Sequence, residues 1–118
     1  MSLSVMKTGR QVSTCAALVF FSALIASSPV SAQKTVEVII QNYRFDPAQV
    51  RVRAGDTVRW INQEKRTSHS VLFSPEQGGE SERFFPRESW QRQFDTPGRY
   101  PYSCGPHPEM KGEVEVMP

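Results

Sequence analysis

Seven residues near the C-terminus, Cys104-Gly105-Pro106-His107-Pro108-Glu109-Met110, set a thiolate, an imidazole and a thioether at intervals of three. A second imidazole, His69, lies well upstream. Cys, two His and Met are together the donor set of a mononuclear copper centre that exchanges one electron, with a trigonal His₂Cys plane and a weak axial thioether. Donors that must converge on one ion cannot lie along a straight strand, but a tight loop can turn three of them inward. Pro106 and Pro108 restrict the chain on either side of His107 and lower its conformational freedom before any metal arrives. Taken singly, each residue has an ordinary use: His69 as a hydrogen-bonded strand histidine, Met110 as core filler, Cys104 as a small buried hydrophobe. Jointly they include every Cys and His after residue 32. Zinc also accepts Cys and His, but a closed zinc site takes four ligands of those types, and Met110 favours copper.

The composition bounds what such a centre can serve. The 118 residues carry 14 Lys+Arg against 12 Asp+Glu, and the two excess cations, Lys7 and Arg10, fall within the first 32 residues. Those residues run from a charged start through an apolar stretch (Ala16 to Ala26) to the small residues Val30-Ser31-Ala32. This is the pattern of a secretory leader cleaved after Ala32. The apolar stretch has 11 residues, whereas a bilayer span needs roughly 17–25. Cys15 leaves with the leader, so Cys104 is a lone thiol in an oxidising compartment, where thiols pair, stay buried or bind metal. Residues 33–118 then balance 12 basic against 12 acidic side chains. No electrostatic footprint for nucleic acid remains. The length fits one domain.

The elements that must position these donors are strands. Period-2 alternation marks Thr35 to Gln41, Gln49 to Arg53, Thr57 to Gln63, Ser70 to Ser74, Arg99 to Cys104 and Glu113 to Met117. Trp90 to Phe94 is less regular, because Arg92 shares the parity of its aromatics. Asp46-Pro47, Ala54-Gly55-Asp56, Gly78-Gly79 and Thr96-Pro97-Gly98 supply turn chemistry between these runs. Seven strands in under 90 residues predict an all-β, antiparallel β-sandwich with two facing sheets. The irregular stretch Pro75 to Arg87 ends in Phe84-Phe85-Pro86, which is expected to plug the core edge.

Asp56-Thr57-Val58-Arg59-Trp60-Ile61-Asn62, Ser68-His69-Ser70-Val71 and Pro97 to Cys104, followed by the donor loop, resemble the cupredoxin family in its amicyanin and plastocyanin branch. The resemblance covers most of residues 35–118. It implies a Greek-key sandwich holding one copper ion near one end, and one-electron transfer between periplasmic redox proteins such as a dehydrogenase or a cytochrome c. It makes His69, Cys104 and His107 the equatorial ligands and Met110 the axial one. Two positions depart from the family pattern. Ser70 stands where an Asn commonly ties the two ligand loops, and Ser103 where plastocyanins carry a Tyr that opens a second electron exit. The edge of His107 is therefore the expected portal.

Two other functions compete. A copper-handling protein, delivering or storing metal, needs exposed and exchangeable ligands; only Met110 and Met117 remain after residue 32. A multicopper oxidase or nitrite reductase needs a further His cluster, and two His cannot supply two centres. A monomeric carrier, not an enzyme, is the expectation.

Overall fold

The computed structural model describes residues 9, 16–19 and 32–118. The chain divides into two units, Met1–Val30 and Ser31–Pro118, and the strands below all lie in the second. Most of the expected leader, residues 1–32, lies outside the described residues.

β1 (Thr35–Gln41) and β2 (Arg44–Asp46) are joined by a two-residue reversal. Asn42 and Tyr43 both take φ 54° there, the left-handed pair that a tight hairpin of right-twisted strands requires. Asn tolerates this region; a bulky Tyr in it is uncommon and is held by contacts at the site below. β2 is an addition to the expected strands, three residues long with Phe45 turned inward. β3 (Gln49–Arg53), β4 (Asp56–Asn62), β5 (Ser89–Phe94), β6 (Gly98–Ser103) and β7 (Lys111–Met117) follow close to their expected bounds.

The strands form two sheets, β2-β1-β4-β5 and β3-β7-β6. Alternation works as predicted: β3 buries Val50 and Val52 and exposes Arg51 and Arg53, and β7 buries Val114 and Val116. The β-sandwich is as expected, but its sheets are mixed and not antiparallel throughout. Because β3 leaves for the second sheet, β4 re-enters the first beside β1 in the same direction, with Val36 opposite Val58 and Val38 opposite Trp60. β7 likewise runs parallel to β3, with Val50 opposite Val114. Side-chain parity reports which face is buried; it carries no information about the direction of the neighbour.

Trp60 is fully buried, with the rings of Phe73, Trp90, Phe94 and Tyr102 at centroid distances of 5.4–6.4 Å. Arg92 resolves its own irregularity. Its guanidinium lies 4.6 Å and 4.7 Å from the ring centroids of Phe73 and Phe94 and donates to the Gln77 carbonyl at 2.6 Å. The segment Ser70–Ser74 does bury Val71 and Phe73, yet it is no strand: Leu72 makes single bridges to Glu80 and Ser103. Its bonds are divided between Ser103 on one side and Gly79 and Ser81 on the other, with no further rung on either to continue a ladder. In the 75–87 loop, Phe84 plugs the core while Phe85 is 54% exposed.

Two features set stability. Tyr102 pairs with Gly112 across β6 and β7, and its ring occupies the space a Cβ at 112 would need. Gly112→Ala should therefore cost about 1–3 kcal/mol, measured as a lower urea midpoint. At the start of β4 the Asp56 carboxylate accepts the backbone N–H groups of Lys34 and Arg53, each at 2.9 Å. These bonds hold its pKa below the ordinary Asp value. A depressed folded-state pKa means that the stabilisation is complete above the unfolded value of about 3.9 and is lost as pH falls through the lower folded value. Asp56→Asn should flatten this acid limb in urea titrations taken from about pH 6 to about pH 2.

Candidate metal centre

Cys104 follows directly on β6, and its loop returns through His107 and Met110 into β7. The loop closes on itself: Cys104 N–H donates to the Met110 carbonyl at 3.0 Å, and Met110 N–H to the His107 carbonyl at 2.9 Å. His69 arrives from the other side, paired through its backbone with Phe84 in both directions at 3.1 Å and 3.0 Å. The donor atoms of His69, Cys104 and His107 all lie within 4.8 Å of one another. Cys104 Sγ is 3.5 Å from His69 Nδ1 and 3.6 Å from His107 Nδ1. Sulfur and nitrogen donors bound to a shared first-row ion, about 2.3 Å and 2.0–2.1 Å from it at near-trigonal angles, stand roughly 3.5–3.8 Å apart. Both sulfur-to-nitrogen spacings fit one ion, and a set of two imidazoles and a thiol, with the thioether of Met110 on the same loop, fits copper. His69 and Cys104 are fully buried and Met110 is nearly so, whereas His107 is partly exposed.

The surroundings hold these donors in place. Burial pulls the His69 pKa down, Glu64 works against that shift and the neighbouring His107 works with it. His69 Nε2 lies 3.5 Å from Glu64 Oε1, the same oxygen that accepts the Tyr43 N–H at 2.7 Å. His69 Nε2 makes no hydrogen bond of ordinary geometry, so the carboxylate faces the ring as a nearby charge, while Nδ1 is turned toward Cys104 Sγ. Burial pushes the Cys104 thiol up, opposed by the N–H groups of Ser70 and His107 and by the charge of Arg83. A coordinating thiol loses its proton outright.

Asn62 ends β4 and joins both flanking loops. Its Nδ2 donates to the carbonyls of Thr67 at 2.8 Å and Phe84 at 3.1 Å, and its Oδ1 accepts the Glu64 N–H at 2.9 Å. Ser70 makes the tie between the ligand segments: its Oγ accepts the Gly105 N–H at 3.0 Å. The ring of Tyr43 stands edge-on to His107 at 5.0 Å and to His69 at 6.0 Å, and its hydroxyl meets Thr67 Oγ1 at 3.2 Å.

Three of the four residues picked out by spacing, His69, Cys104 and His107, thus bring their donor atoms together, and Met110 is buried at the end of the same loop with its backbone bonded to Cys104 and His107. Sequence reasoning missed Tyr43 and Glu64. Neither bears a fixed interval to a donor, and the Asn42-Tyr43 pair is the one weak signal, as a turn. Removing the Asn62 amide would leave the Thr67 carbonyl without its donor, take one of two donors from the buried Phe84 carbonyl, which keeps the His69 N–H, and release the Glu64 N–H. Asn62→Ala should destabilise the metal-free protein by about 1–3 kcal/mol and speed hydrogen exchange at the Glu64 amide.

Among described residues, no helix is long and apolar enough to cross a membrane. The family of cupredoxin-like domains matches residues 14–116. Amicyanin-alpha of Methylorubrum extorquens is 36% identical over 118 residues, covering 91% of this chain and 98% of that protein. Plastocyanin of Scenedesmus fuscus is 34% identical, covering 62% of this chain and 86% of the relative. Among solved structures, a reduced tryptophan-to-tyrosine variant of amicyanin superposes with a TM-score of 0.67 at 29% identity, covering 70% of this chain and 82% of the other. The buried thiolate between two imidazoles, the mixed-sheet sandwich that frames it and these likenesses agree, and the chain belongs to the cupredoxin-like family.

Proposed function

We propose that this chain is a periplasmic blue copper protein that carries single electrons between redox proteins, with His69, Cys104 and His107 as equatorial ligands and Met110 as the axial one. The observation that carries the proposal is the meeting of three donor atoms within 4.8 Å on a braced shell that leaves only His107 partly open. Copper, when bound, supplies the Cu(II)/Cu(I) couple. The chain supplies a fixed set of donors. Cys104 and His69 are sealed from water and held by backbone bonds, so little rearrangement accompanies a change in charge at the site. His107 brings one nitrogen to the centre and an edge to the surface, where a partner can approach.

Tyr43, 49% exposed, and Phe85, 54% exposed, add apolar surface to the molecule. The described domain is balanced in charge, which suits a short-lived encounter governed by fit at the portal more than by long-range steering. A dehydrogenase as donor and a c-type cytochrome as acceptor are partners of the right chemistry. Residues 1–32 act as the export leader, removed after Ala32. Storage or delivery of copper is the lesser reading, since metal transfer needs ligands an acceptor can reach, and the thiolate and one imidazole here are fully buried.

Protein loaded with Cu(II) should be intensely blue, keep its metal through dialysis and give reversible one-electron voltammetry. Cys104→Ser should abolish the colour. Colourless loaded protein, or ready loss of copper to a competing chelator, would overturn the proposal.

A further inference from the structure

The hydroxyl of Ser70 stands at a crossing of three segments. Ser70 itself is fully buried. Its Oγ accepts the Gly105 N–H at 3.0 Å and donates to Glu80 Oε1 at 2.8 Å. A hydroxyl carries one hydrogen, so what it gives to Glu80 it cannot give elsewhere.

Glu80 is held in place by the segment opposite. Its backbone bridges Leu72, and on either side of it Phe73 N–H donates to the Gly79 carbonyl at 2.9 Å and Ser81 N–H to the Val71 carbonyl at 2.8 Å. The Ser81 hydroxyl accepts the Val71 N–H at 2.8 Å. The carboxylate also depends on its neighbour: a Cβ at 105 would land on Glu80 Oε1 and come within 2.7 Å of Ser70 Oγ. Glycine at 105 therefore leaves room for a carboxylate directly over the peptide that follows Cys104.

We infer that Glu80 is a positioning residue for the copper site: it takes the Ser70 hydroxyl hydrogen, which turns the oxygen lone pairs to the Gly105 N–H. The link from the His69 segment through Ser70 to the Cys104 loop is thereby locked in one polarity. A negative charge this close to the donor loop also favours the more positive Cu(II) state of a bound copper, so Glu80 holds the potential down.

The inference rests on the copper reading for its electronic half, while its geometric half stands without metal, and the experiment separates them. In the full-length metal-free protein, Glu80→Ala should speed hydrogen exchange at the Gly105 amide about tenfold. Glu80→Gln, whose amide oxygen still accepts the hydroxyl hydrogen, should leave that rate within about twofold of the parent. In copper-loaded protein, Glu80→Ala and Glu80→Gln should each raise the potential, since each removes the charge. In a Ser70→Ala background, adding Glu80→Ala should change the Gly105 exchange no further.

Equal Gly105 exchange in the parent and Glu80→Ala would overturn the inference. So would loss of protection in Glu80→Gln as large as in Glu80→Ala, or an undiminished Glu80→Ala effect without Ser70. If copper gave no blue colour in any variant while the exchange pattern held, the electron-carrier reading would fail and the positioning role of Glu80 would stand.

Discussion

Everything in this fold is subordinate to keeping a sulfur about 3.5 Å from each of two ring nitrogens in a place from which water is largely excluded. Three polar groups so close together and so deeply buried would be costly in a soft shell, where they would turn away toward solvent. The shell is therefore over-determined. Cys104 hangs from the end of β6, its loop is closed by the bonds through Met110 and His107, and His69 is paired with Phe84 on both backbone groups. Behind them lies the aromatic cluster around Trp60, whose large rings reach both sheets and leave little freedom for β4 and β6 to shift.

Polar ties do the remaining work at both ends of β4. At its start Asp56 gathers the N–H groups of Lys34 and Arg53. At its end Asn62 collects two carbonyls and an N–H from the loops that flank His69. Each joins segments that no sheet ladder links and satisfies backbone groups that the strands leave over. Ser70 and Glu80 extend the same device to the donor loop. The left-handed turn at Asn42 and Tyr43 belongs with them: it places the Tyr43 ring against both imidazoles and its N–H on the carboxylate that faces His69.

The asymmetry of the centre follows from this construction. A loop that supplies three donors within seven residues must run near the surface, and its middle donor, His107, is the one left partly open. The donor from the opposite segment, His69, is closed in by Phe84, Glu64 and Tyr43. Ser103, ahead of the thiolate, uses its backbone to pair with Leu72 and offers no aromatic ring toward the far surface. Access to the centre thus narrows to one imidazole edge.

The donor set was legible from the sequence because its chemistry is local. Cys104, His107 and Met110 fall within seven residues, and His69 is the one remaining imidazole. The strands were legible for a similar reason, since parity of Val50 and Val52, or of Val114 and Val116, follows from the pleat alone. Export and cleavage of the leader stay with the sequence, as most of that segment lies outside the described residues. What the chain order could not tell was which strands run side by side. Parallel pairing of β1 with β4 and of β3 with β7 depends on where β3 crosses between sheets, and side-chain alternation is blind to direction. Nor could it show that Ser70–Ser74, strand-like in pattern, would be gripped by Ser103 and Glu80 and make single bridges only. Glu64 and Tyr43 were hidden for the same physical reason. Their roles come from proximity created by folding, between residues whose spacing along the chain has no bearing on their spacing in space.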